Sequence, residues 1–256
     1  MSGQLFCQFN DSLPICTFHP ELTGNEILIW DIDTDLYLTR IALLKKVLSI
    51  EEKDRADRFH FERDSNRFIV RRAILKILLA AYKGCGIKHL KYIRGTNGKP
   101  QLAGNNELNF NTSHSNNHAI IALSRHQIGV DLEFINPDFD IIPVAEFSFS
   151  ADEFKFLAGS SNPLKDFFIT WTRKEAFVKA TGSGLNDHLQ HFSCLNGRQL
   201  IPAQLQAEEA DWNLDTVELS QEYLLSIAAR VTTEPLQSLL VNFNEDLLHD
   251  AIQECV

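Results

Sequence analysis

Apolar residues recur at the spacing of an α-helix in two long stretches of the chain. In residues 64–82 they form a nearly continuous core side, and Gly84 follows as a residue suited to end a helix. In residues 163–181 a broad apolar face lies between Asn162, a suitable N-cap, and Gly182, a suitable C-terminal turn. These two stretches predict the main helices of the protein.

Between and after these helices the period of the apolar positions shortens to two, which predicts strands. The strands are expected within residues 26–33, 90–134 and 191–243, separated by turn-rich connections. Residues 119–123 and 128–134 lie on either side of a four-residue connection, so they are predicted to pair as a hairpin. Helices followed by runs of strands are typical of an α+β fold.

The order of elements, helix first and then about three strands, occurs twice along the chain. We therefore predict two similar α+β halves, residues 26–127 and 128–256, preceded by an irregular extension in residues 1–25. No Gly-x-Gly-x-x-Gly segment or Walker loop is present in the sequence, which disfavours dinucleotide-binding and P-loop folds.

Composition narrows the class of protein. Of the 256 residues, 44% are hydrophobic and 23% are charged, as in ordinary globular domains, and no apolar run is long enough to span a membrane. The net charge of −10 argues against nucleic acid and anionic membranes as partners. Five scattered cysteines without a Cys-x-x-Cys pair, and the lack of a signal-peptide pattern, predict a reduced, cytoplasmic location.

Basic residues concentrate in one zone despite the acidic total. Eight lysines and arginines lie between Lys53 and Lys76, and Arg63, Arg67 and Arg71 recur every four residues. On a helix this spacing forms one stripe, which is either a solvated face or a surface whose guanidinium groups bind phosphate. A local basic zone on an acidic protein indicates a small anionic ligand.

Two pairs of charged residues are candidates for chemistry. Asp131 and Glu133 share one face of a predicted strand, where a hard divalent ion such as Mg²⁺ would relieve their repulsion. Glu175 and Lys179 are four residues apart on a predicted helix and share one side, as a base and a phosphate-binding group would. The plain alternatives are an exposed acidic strand and a surface salt bridge.

Two further residues have an ordinary structural explanation. His114 lies where a strand gives way to small polar residues, and a histidine there commonly stabilises a turn. Ser150 and Glu153 have the spacing of a capping box, in which the glutamate closes the start of a helix. On the residues alone, neither is assigned to a site.

Taken in order, five segments of the chain resemble the surfactin-type 4′-phosphopantetheinyl transferases. Each segment is weak by itself, but the ordered set is highly specific, above all the acidic strand followed by Lys174-Glu175 and Lys179. The segments are Gly98–Pro100, Phe110–Ser115, Gly129–Glu133, Phe149–Glu153, and Trp171–Lys179 with Gly182 and Gly184-Leu185.

This resemblance implies an activity and a fold. Members of the family transfer phosphopantetheine from coenzyme A to a serine of an acyl or peptidyl carrier protein and release adenosine 3′,5′-bisphosphate. Members of this size fold as two similar α+β halves in a pseudo-twofold arrangement with the ligand between them, which would make the protein a monomer. The family's acidic carrier partners imply that docking uses a local apolar or basic patch, because this chain is acidic as well.

The resemblance also implies roles for the residues in the matching segments. Asp131 and Glu133 would hold Mg²⁺ on the coenzyme A pyrophosphate, and Glu153 stands where the family has a third carboxylate ligand, although the capping box competes for it. Glu175 would be the general base on the carrier serine. Lys179 would neutralise charge on the pyrophosphate and the leaving nucleotide.

The remaining implied roles concern the nucleotide. Ser113 and His114 would bind the 3′-phosphate, and Lys99 with its loop would border the adenosine. One of Lys53, Arg55 and Arg58 should contact the 3′-phosphate, and the sequence does not choose among them. Further phosphate contacts are implied for Lys174, Arg67 and Arg94.

Three other classes of protein would contain some of the same residues. A non-catalytic protein could bind coenzyme A without transferring anything. An unrelated phosphohydrolase could use Asp131 and Glu133 to release adenosine bisphosphate without a carrier. A structural scaffold would bind neither Mg²⁺ nor coenzyme A. The complete set of Asp131, Glu133, Glu175 and Lys179 disfavours the first of these, the non-catalytic binding protein.

Overall fold

The fold is mixed α+β, as predicted, with seven helices and twelve strands among the described residues. It is known from a computed structural model, which describes residues 3–16, 21–95, 98–104, 108–184, 189–202, 210–243 and 245–255. The helices are α1 (Ile41–Val47), α2 (Ile50–Asp57), α3 (Glu62–Lys83), α4 (Ile142–Ser148), α5 (Ala151–Ala158), α6 (Pro163–Thr181) and α7 (Glu245–Cys255).

Most of the strands belong to two five-stranded sheets. The first has the order β8-β11-β10-β1-β9 and the second has the order β2-β12-β3-β7-β6, while β4 and β5 form a separate hairpin. The strands are β1 (Gln4–Asn10), β2 (Ile15–Cys16), β3 (Glu26–Asp33), β4 (Tyr92–Arg94), β5 (Pro100–Leu102), β6 (Asn109–Ser115), β7 (His118–Ser124), β8 (Ile128–Phe134), β9 (Gly197–Leu200), β10 (Trp212–Ser220), β11 (Tyr223–Arg230) and β12 (Gln237–Val241).

The two long helices begin and end where the sequence predicts. Asn162 caps α6 by accepting a hydrogen bond from the backbone N–H of Lys165, and Pro163 opens the helix. Gly84 ends α3 and Gly182 ends α6 in the left-handed region, with φ of 62° and 69°, which glycine adopts without strain.

Each long helix covers one sheet, and the two sheets pack face to face. On the second sheet, Trp30 and Ile121 face the side of α3, whereas Ile29 and Ile120 face the first sheet. This alternation is the period of two that predicted the strands. The first sheet presents Val130 and Leu132, among other residues, to the second sheet, and its opposite side supports α6.

The predicted hairpin of residues 119–123 and 128–134 is wrong. Strand β7 pairs with β3 and β6, whereas β8 pairs with β11 in the other sheet. The short connection therefore crosses from one sheet to the other, so β7 and β8 pack through their side chains instead of sharing a hydrogen-bonded ladder. Alternation along each strand is the same in both arrangements, so the sequence pattern could not distinguish them.

The ends of the chain also depart from the predicted division. Residues 4–10, within the predicted irregular extension, are a strand that pairs in parallel with β10, with Leu5 and Cys7 buried. Conversely, β12 pairs in parallel with β3, and α7 packs on α1 and α3. Each end therefore completes the sheet or helical layer of the opposite half, and the predicted boundary at residue 127 does not separate two independent sheets.

None of the described helices combines the length and the apolar character needed to cross a membrane.

Candidate active site

Strand β6 separates two groups of polar side chains. Its odd-numbered residues Asn111, Ser113 and Ser115 point to β8, and the Oδ1 atom of Asn111 accepts the backbone N–H of Val130 at 3.0 Å. The next residue along the strand, His114, is exposed beside the arginines of α3. Period-two geometry thus assigns Ser113 and His114 to opposite sides of one strand.

Lys179 binds Asp131 directly on the β8 side. Its Nζ atom lies 2.6 Å from Oδ1 of Asp131 and donates at 2.9 Å to Oγ of Ser113, whose hydroxyl donates to the same carboxylate at 2.8 Å. Asp131 is almost fully buried. Burial raises the pKa of Asp131, and the charge of Lys179 opposes this effect.

Glu133 and Glu175 form a group of three carboxylates with Asp131, beside Lys179. Glu133 is held by Ser115 Oγ at 3.0 Å and by Trp171 Nε1 at 3.2 Å. Burial and the charge of Asp131 raise the pKa of Glu133 to about 7. Burial and the charge of Asp131 also raise the pKa of Glu175 to about 7. Carboxylates whose negative charges repel in a buried position are suited to take up a cation or a proton.

Within the described part of the chain, two oxygen atoms of this group have no hydrogen-bond partner. They are Oδ2 of Asp131 and Oε1 of Glu175, and both are buried. Buried carboxylate oxygens are costly without a partner, and oxygen ligands of this kind fit a hard divalent ion. Among the described residues, however, no three His, Cys, Asp or Glu side chains are grouped closely enough to hold a metal ion as they stand.

The structure does not bring Glu153 and Lys174 to this group. The Lys174 Nζ atom lies 2.9 Å from Oε2 of Glu153 and donates at 2.7 Å to the carbonyls of Leu189 and Phe192, and neither charged side chain is exposed. Glu153 also forms the predicted capping box with Ser150. The two side chains for which the resemblance implied metal and phosphate roles are thus bound to each other in the interior.

The ammonium group of Lys99 binds two backbone carbonyls. Its Nζ atom donates at 3.0 Å to the carbonyls of Ile128 and Ala180. Burial lowers the pKa of Lys99 to about 8. Lys99 and Pro100 border a cleft together with Glu175, Lys179 and residues of β6, so the hairpin lies beside the reactive group.

A basic pocket occupies the other side of β6. His114, Arg55, Arg71 and Arg72 line it together with Phe68. Ser113 also borders it, although its hydroxyl donates to Asp131. The guanidinium of Arg55 lies 5.0 Å from the centre of the Phe68 ring. Burial and the neighbouring charges of Arg67 and Arg55 lower the pKa of Arg71 to about 10. A concentration of positive charge in a half-buried pocket is suited to a phosphate group.

The three arginines of this pocket differ in whether a carboxylate forms an ion pair with them. Glu52 binds Arg72 and also lies 2.9 Å from Lys76, whereas Arg55 and Arg71 have no ion-pair partner among the described residues. Of the three basic residues that the sequence left open, Arg55 lines this pocket, whereas Lys53 and Arg58 are not among its lining residues.

Arg67 and Arg94 are not among the residues that line the basic pocket. Arg67 lies 3.8 Å from Asp35, and its buried Nε has no hydrogen-bond partner among the described atoms. Arg94 is exposed on the β4–β5 hairpin, with an Nη1 atom close to Gly98. Neither placement by itself establishes a phosphate contact.

Sequence reasoning did not assign roles to Ser115, Trp171 or Arg71 individually. A signal was present for each of them. Ser115 follows Ser113 at the strand period, Trp171 precedes Glu175 by one helical turn, and Arg71 follows Arg67 in the basic stripe. Each shares a face with a residue that was assigned.

Comparison with known proteins identifies the family. Residues 127–228 match the family described as the 4′-phosphopantetheinyl transferase superfamily, and residues 37–126 match the one described as 4′-phosphopantetheinyl transferase, N-terminal. The 4′-phosphopantetheinyl transferase HetI of Nostoc sp. (strain PCC 7120) is 35% identical over 203 residues, which are 76% of this chain and 84% of that protein.

Two further relatives resemble HetI either in sequence identity to this chain or in the share of this chain that they match. The protein slr0495 of Synechocystis sp. (strain PCC 6803) is 36% identical over 166 residues, which are 63% of this chain and 67% of that protein. The 4′-phosphopantetheinyl transferase psf-1 of Bacillus pumilus is 29% identical over 194 residues, which are 75% and 82% of the two chains. With both halves matched and HetI similar over most of its length, the chain belongs to the 4′-phosphopantetheinyl transferase family and is an enzyme of that class.

Proposed function

We propose that the protein transfers 4′-phosphopantetheine from coenzyme A to a serine of an apo acyl or peptidyl carrier protein, with Mg²⁺, and releases adenosine 3′,5′-bisphosphate. We further propose that it acts as a surfactin-type member of the family. The observation that carries this proposal is the arrangement on the two sides of β6. The buried carboxylates of Asp131 and Glu175, the half-buried Glu133 and Lys179 lie on one side, and an arginine pocket with His114 lies on the other.

Asp131 and Glu133 are the residues proposed to hold Mg²⁺. The orphaned Oδ2 atom of Asp131 and the repulsion that raises the pKa of Glu133 support this assignment. Bound there, Mg²⁺ would neutralise negative charge on the pyrophosphate of coenzyme A. Ser115 and Trp171 hold the Glu133 carboxylate in place from two directions.

Glu175 and Lys179 are the proposed catalytic residues. A carboxylate with a pKa of about 7 is suited to accept the proton of the carrier serine hydroxyl, directly or through water. The Lys179 ammonium, 2.6 Å from Asp131, would stabilise charge on the pyrophosphate and on the leaving bisphosphate. One turn of α6 separates the two residues, so they act on the same cleft.

The nucleotide is proposed to bind across β6 from these residues. His114, Arg55 and Arg71 would contact the 3′-phosphate, because all three side chains line one pocket and no carboxylate among the described residues is ion-paired with either arginine. Arg67 and Arg94 remain proposed additional phosphate contacts. The β4–β5 hairpin would border the adenosine through its backbone, since the Lys99 ammonium is bound to carbonyl groups.

We also propose a cytoplasmic monomer. The carboxylate group and the arginine pocket come from one chain, so no second copy is needed to complete the site. The cytoplasmic location is proposed from the sequence, whose five cysteines are scattered and include no Cys-x-x-Cys pair. Light scattering would test the oligomeric state.

Mass spectrometry of an intact apo carrier protein tests the reaction. The carrier is incubated with the enzyme, coenzyme A and Mg²⁺, and should gain the mass of one phosphopantetheine, with no gain in EDTA. Release of adenosine bisphosphate without a carrier would favour a phosphohydrolase. Binding of coenzyme A without transfer to any of several carriers would favour a non-catalytic binding protein.

A further inference from the structure

The side chain of Lys99 connects three elements of the site. It starts on the β4–β5 hairpin, and its Nζ atom donates at 3.0 Å to the carbonyl of Ile128 and at 3.0 Å to the carbonyl of Ala180. Ile128 is the first residue of β8, and Ala180 lies in the last turn of α6. One ammonium group therefore holds a strand and a helix together.

These are the two elements that carry the reactive residues. Asp131 follows Ile128 by three residues on β8, and Lys179 directly precedes Ala180 on α6. Lys179 and Asp131 in turn bind each other at 2.6 Å. A shift of α6 along β8 would change that contact, so the Lys99 bridge lies where it can fix the relative position of the two charged groups.

The backbones of β8 and α6 meet beside this bridge. A Cβ atom on Gly129 would lie 2.2 Å from the carbonyl oxygen of Ala176 and 2.2 Å from the backbone nitrogen of Ala180. Strand and helix are thus in direct backbone contact next to the two carbonyls that Lys99 binds. Such a contact defines distance well but does not prevent sliding, which directional hydrogen bonds resist.

A cation is the appropriate group at this point. The last carbonyls of a helix have no partner within the helix and carry partial negative charge, so an ammonium beside them is favourable. Gln127 Nε2 also donates to the Ala180 carbonyl at 3.0 Å. No carboxylate is ion-paired with Lys99 in the described part of the chain, so the carbonyl groups account for its placement.

We propose that Lys99 is a positioning residue, which locks β8 to the end of α6 and thereby holds Asp131 and Lys179 in register for transfer. The inference rests on the proposed function, because it assumes that these two residues act on coenzyme A. In this role the Lys99 side chain does not contact the nucleotide. The β4–β5 hairpin beside the cleft then belongs to the same rigid unit as β8 and α6.

The test separates positioning from nucleotide binding in the full-length enzyme. Lys99→Met removes the bridge, Lys99→Arg keeps donors for both carbonyls, and Gln127→Ala removes only the second donor to Ala180. Lys83→Met is the matched control, because Lys83 Nζ also donates at 3.0 Å to a backbone carbonyl, that of Ala103, away from β8 and α6.

For each variant, kcat and KM of transfer, the dissociation constant of adenosine 3′,5′-bisphosphate by calorimetry, and Tm are measured. Lys99→Met should lower kcat about tenfold to a hundredfold, since small misplacements of reactive groups have effects of this size. Affinity for adenosine 3′,5′-bisphosphate should stay within about twofold, because misplacement acts on the transfer step and Lys99 does not contact the nucleotide. Lys99→Arg should recover most of kcat, Gln127→Ala should show a smaller loss, and Lys83→Met should match the wild type.

Two outcomes would overturn the inference. If Lys99→Met or Lys99→Arg weakens nucleotide binding while kcat at saturation is unchanged, Lys99 contacts the nucleotide. If Gln127→Ala and Lys99→Met both leave kcat unchanged, the bridge has no positioning role. Should Lys99→Met fail to fold, the Lys99→Arg and Gln127→Ala pair decides. A wild-type enzyme that neither transfers nor binds the nucleotide would instead refute the proposed function.

Discussion

Lys174 and Glu153 form an ion pair in the protein interior, with 2.9 Å between Nζ and Oε2 and no exposed surface on either side chain. All three N–H groups of the ammonium are used, since Lys174 also donates to the carbonyls of Leu189 and Phe192. Glu153 accepts the backbone N–H of Cys194 at 2.7 Å as well. The pair therefore connects α5, α6 and the segment that leads to β9.

Replacing Lys174 should affect stability rather than ligand binding. Lys174→Met leaves the Glu153 charge buried without its counterion, so the free energy of unfolding should fall by about 3–5 kcal/mol. The control is Lys165→Met, on the same helix, because the Lys165–Glu218 pair is one-third exposed and should contribute less than about 1 kcal/mol.

Urea unfolding and nucleotide calorimetry measure both effects. Wild-type stability of Lys174→Met together with lost affinity for adenosine 3′,5′-bisphosphate would contradict this prediction. Lys174 would then contact the phosphates, and its ion pair with Glu153 would not be its main role.

The different positions of Lys174 and Glu175 could have been predicted. Adjacent residues on a helix point about 100° apart, so they cannot both face one cleft. Trp171, Glu175 and Lys179 are spaced by four and do share a face, which is the one found beside Asp131. The ion pair with Glu153 could not be predicted in the same way, because the two residues are 21 positions apart on different helices.

The sheets show a similar limit. Alternation correctly predicted β8 and which of its residues share a face, because that pattern is local. It could not predict that β1 pairs with β10, since Leu5 and Trp212 are partners across most of the chain length. Nor could it show that β7 and β8 lie in different sheets, which depends on the pairing of β8 with β11.

Glu175→Gln should separate the general base from the metal ligands. The amide cannot accept the serine proton, so transfer at saturating substrate should fall by about 10²–10⁴-fold. Calorimetric titration should still detect Mg²⁺ binding, whereas Asp131→Asn should lose it together with transfer. If Glu175→Gln abolished Mg²⁺ binding, Glu175 would be a third metal ligand and another group would have to act as the base.

Arg71→Ala should discriminate between coenzyme A and its 3′-dephospho form. A charge-assisted hydrogen bond contributes about 1.5–3 kcal/mol, so affinity for coenzyme A should fall about tenfold to a hundredfold. His114→Ala should act in the same direction. Affinity for 3′-dephospho-coenzyme A should hardly change in either variant. Arg63→Ala is the control, because this residue of the same stripe is largely exposed. Equal losses for both ligands would contradict the 3′-phosphate assignment.

Gly129→Ala should strongly destabilise the fold. The added methyl would meet the Ala176 carbonyl and the Ala180 nitrogen at 2.2 Å, and backbone atoms of a helix cannot rotate away. We expect a loss of about 3 kcal/mol or more in the free energy of unfolding. Gly159→Ala is the control, since its nearest neighbours would be at 3.7 and 3.8 Å. Similar stability of the two variants would show that β8 and α6 do not touch at Gly129.

The His118–Asp31 contact should make stability depend on pH. Nδ1 of His118 lies 2.8 Å from Oδ1 of Asp31, and this hydrogen bond, opposed by burial, raises the pKa of His118. Since the folded state holds the proton more tightly, the contribution is complete below the ordinary pKa of about 6.5. It is lost as the pH rises through the raised value.

The measurement compares the wild type with His118→Gln. Their difference in free energy of unfolding should shrink as the pH rises above about 6.5, the ordinary pKa of histidine. Asp31→Asn removes the acceptor charge and should abolish most of this pH dependence, while the Asp33 and Asp35 charges, which also raise the pKa, keep a smaller part. A difference that grows with pH would mean that neutral His118 is the stabilised form. The ring contact with Tyr223, at 4.5 Å between centroids, would then outweigh the ion pair.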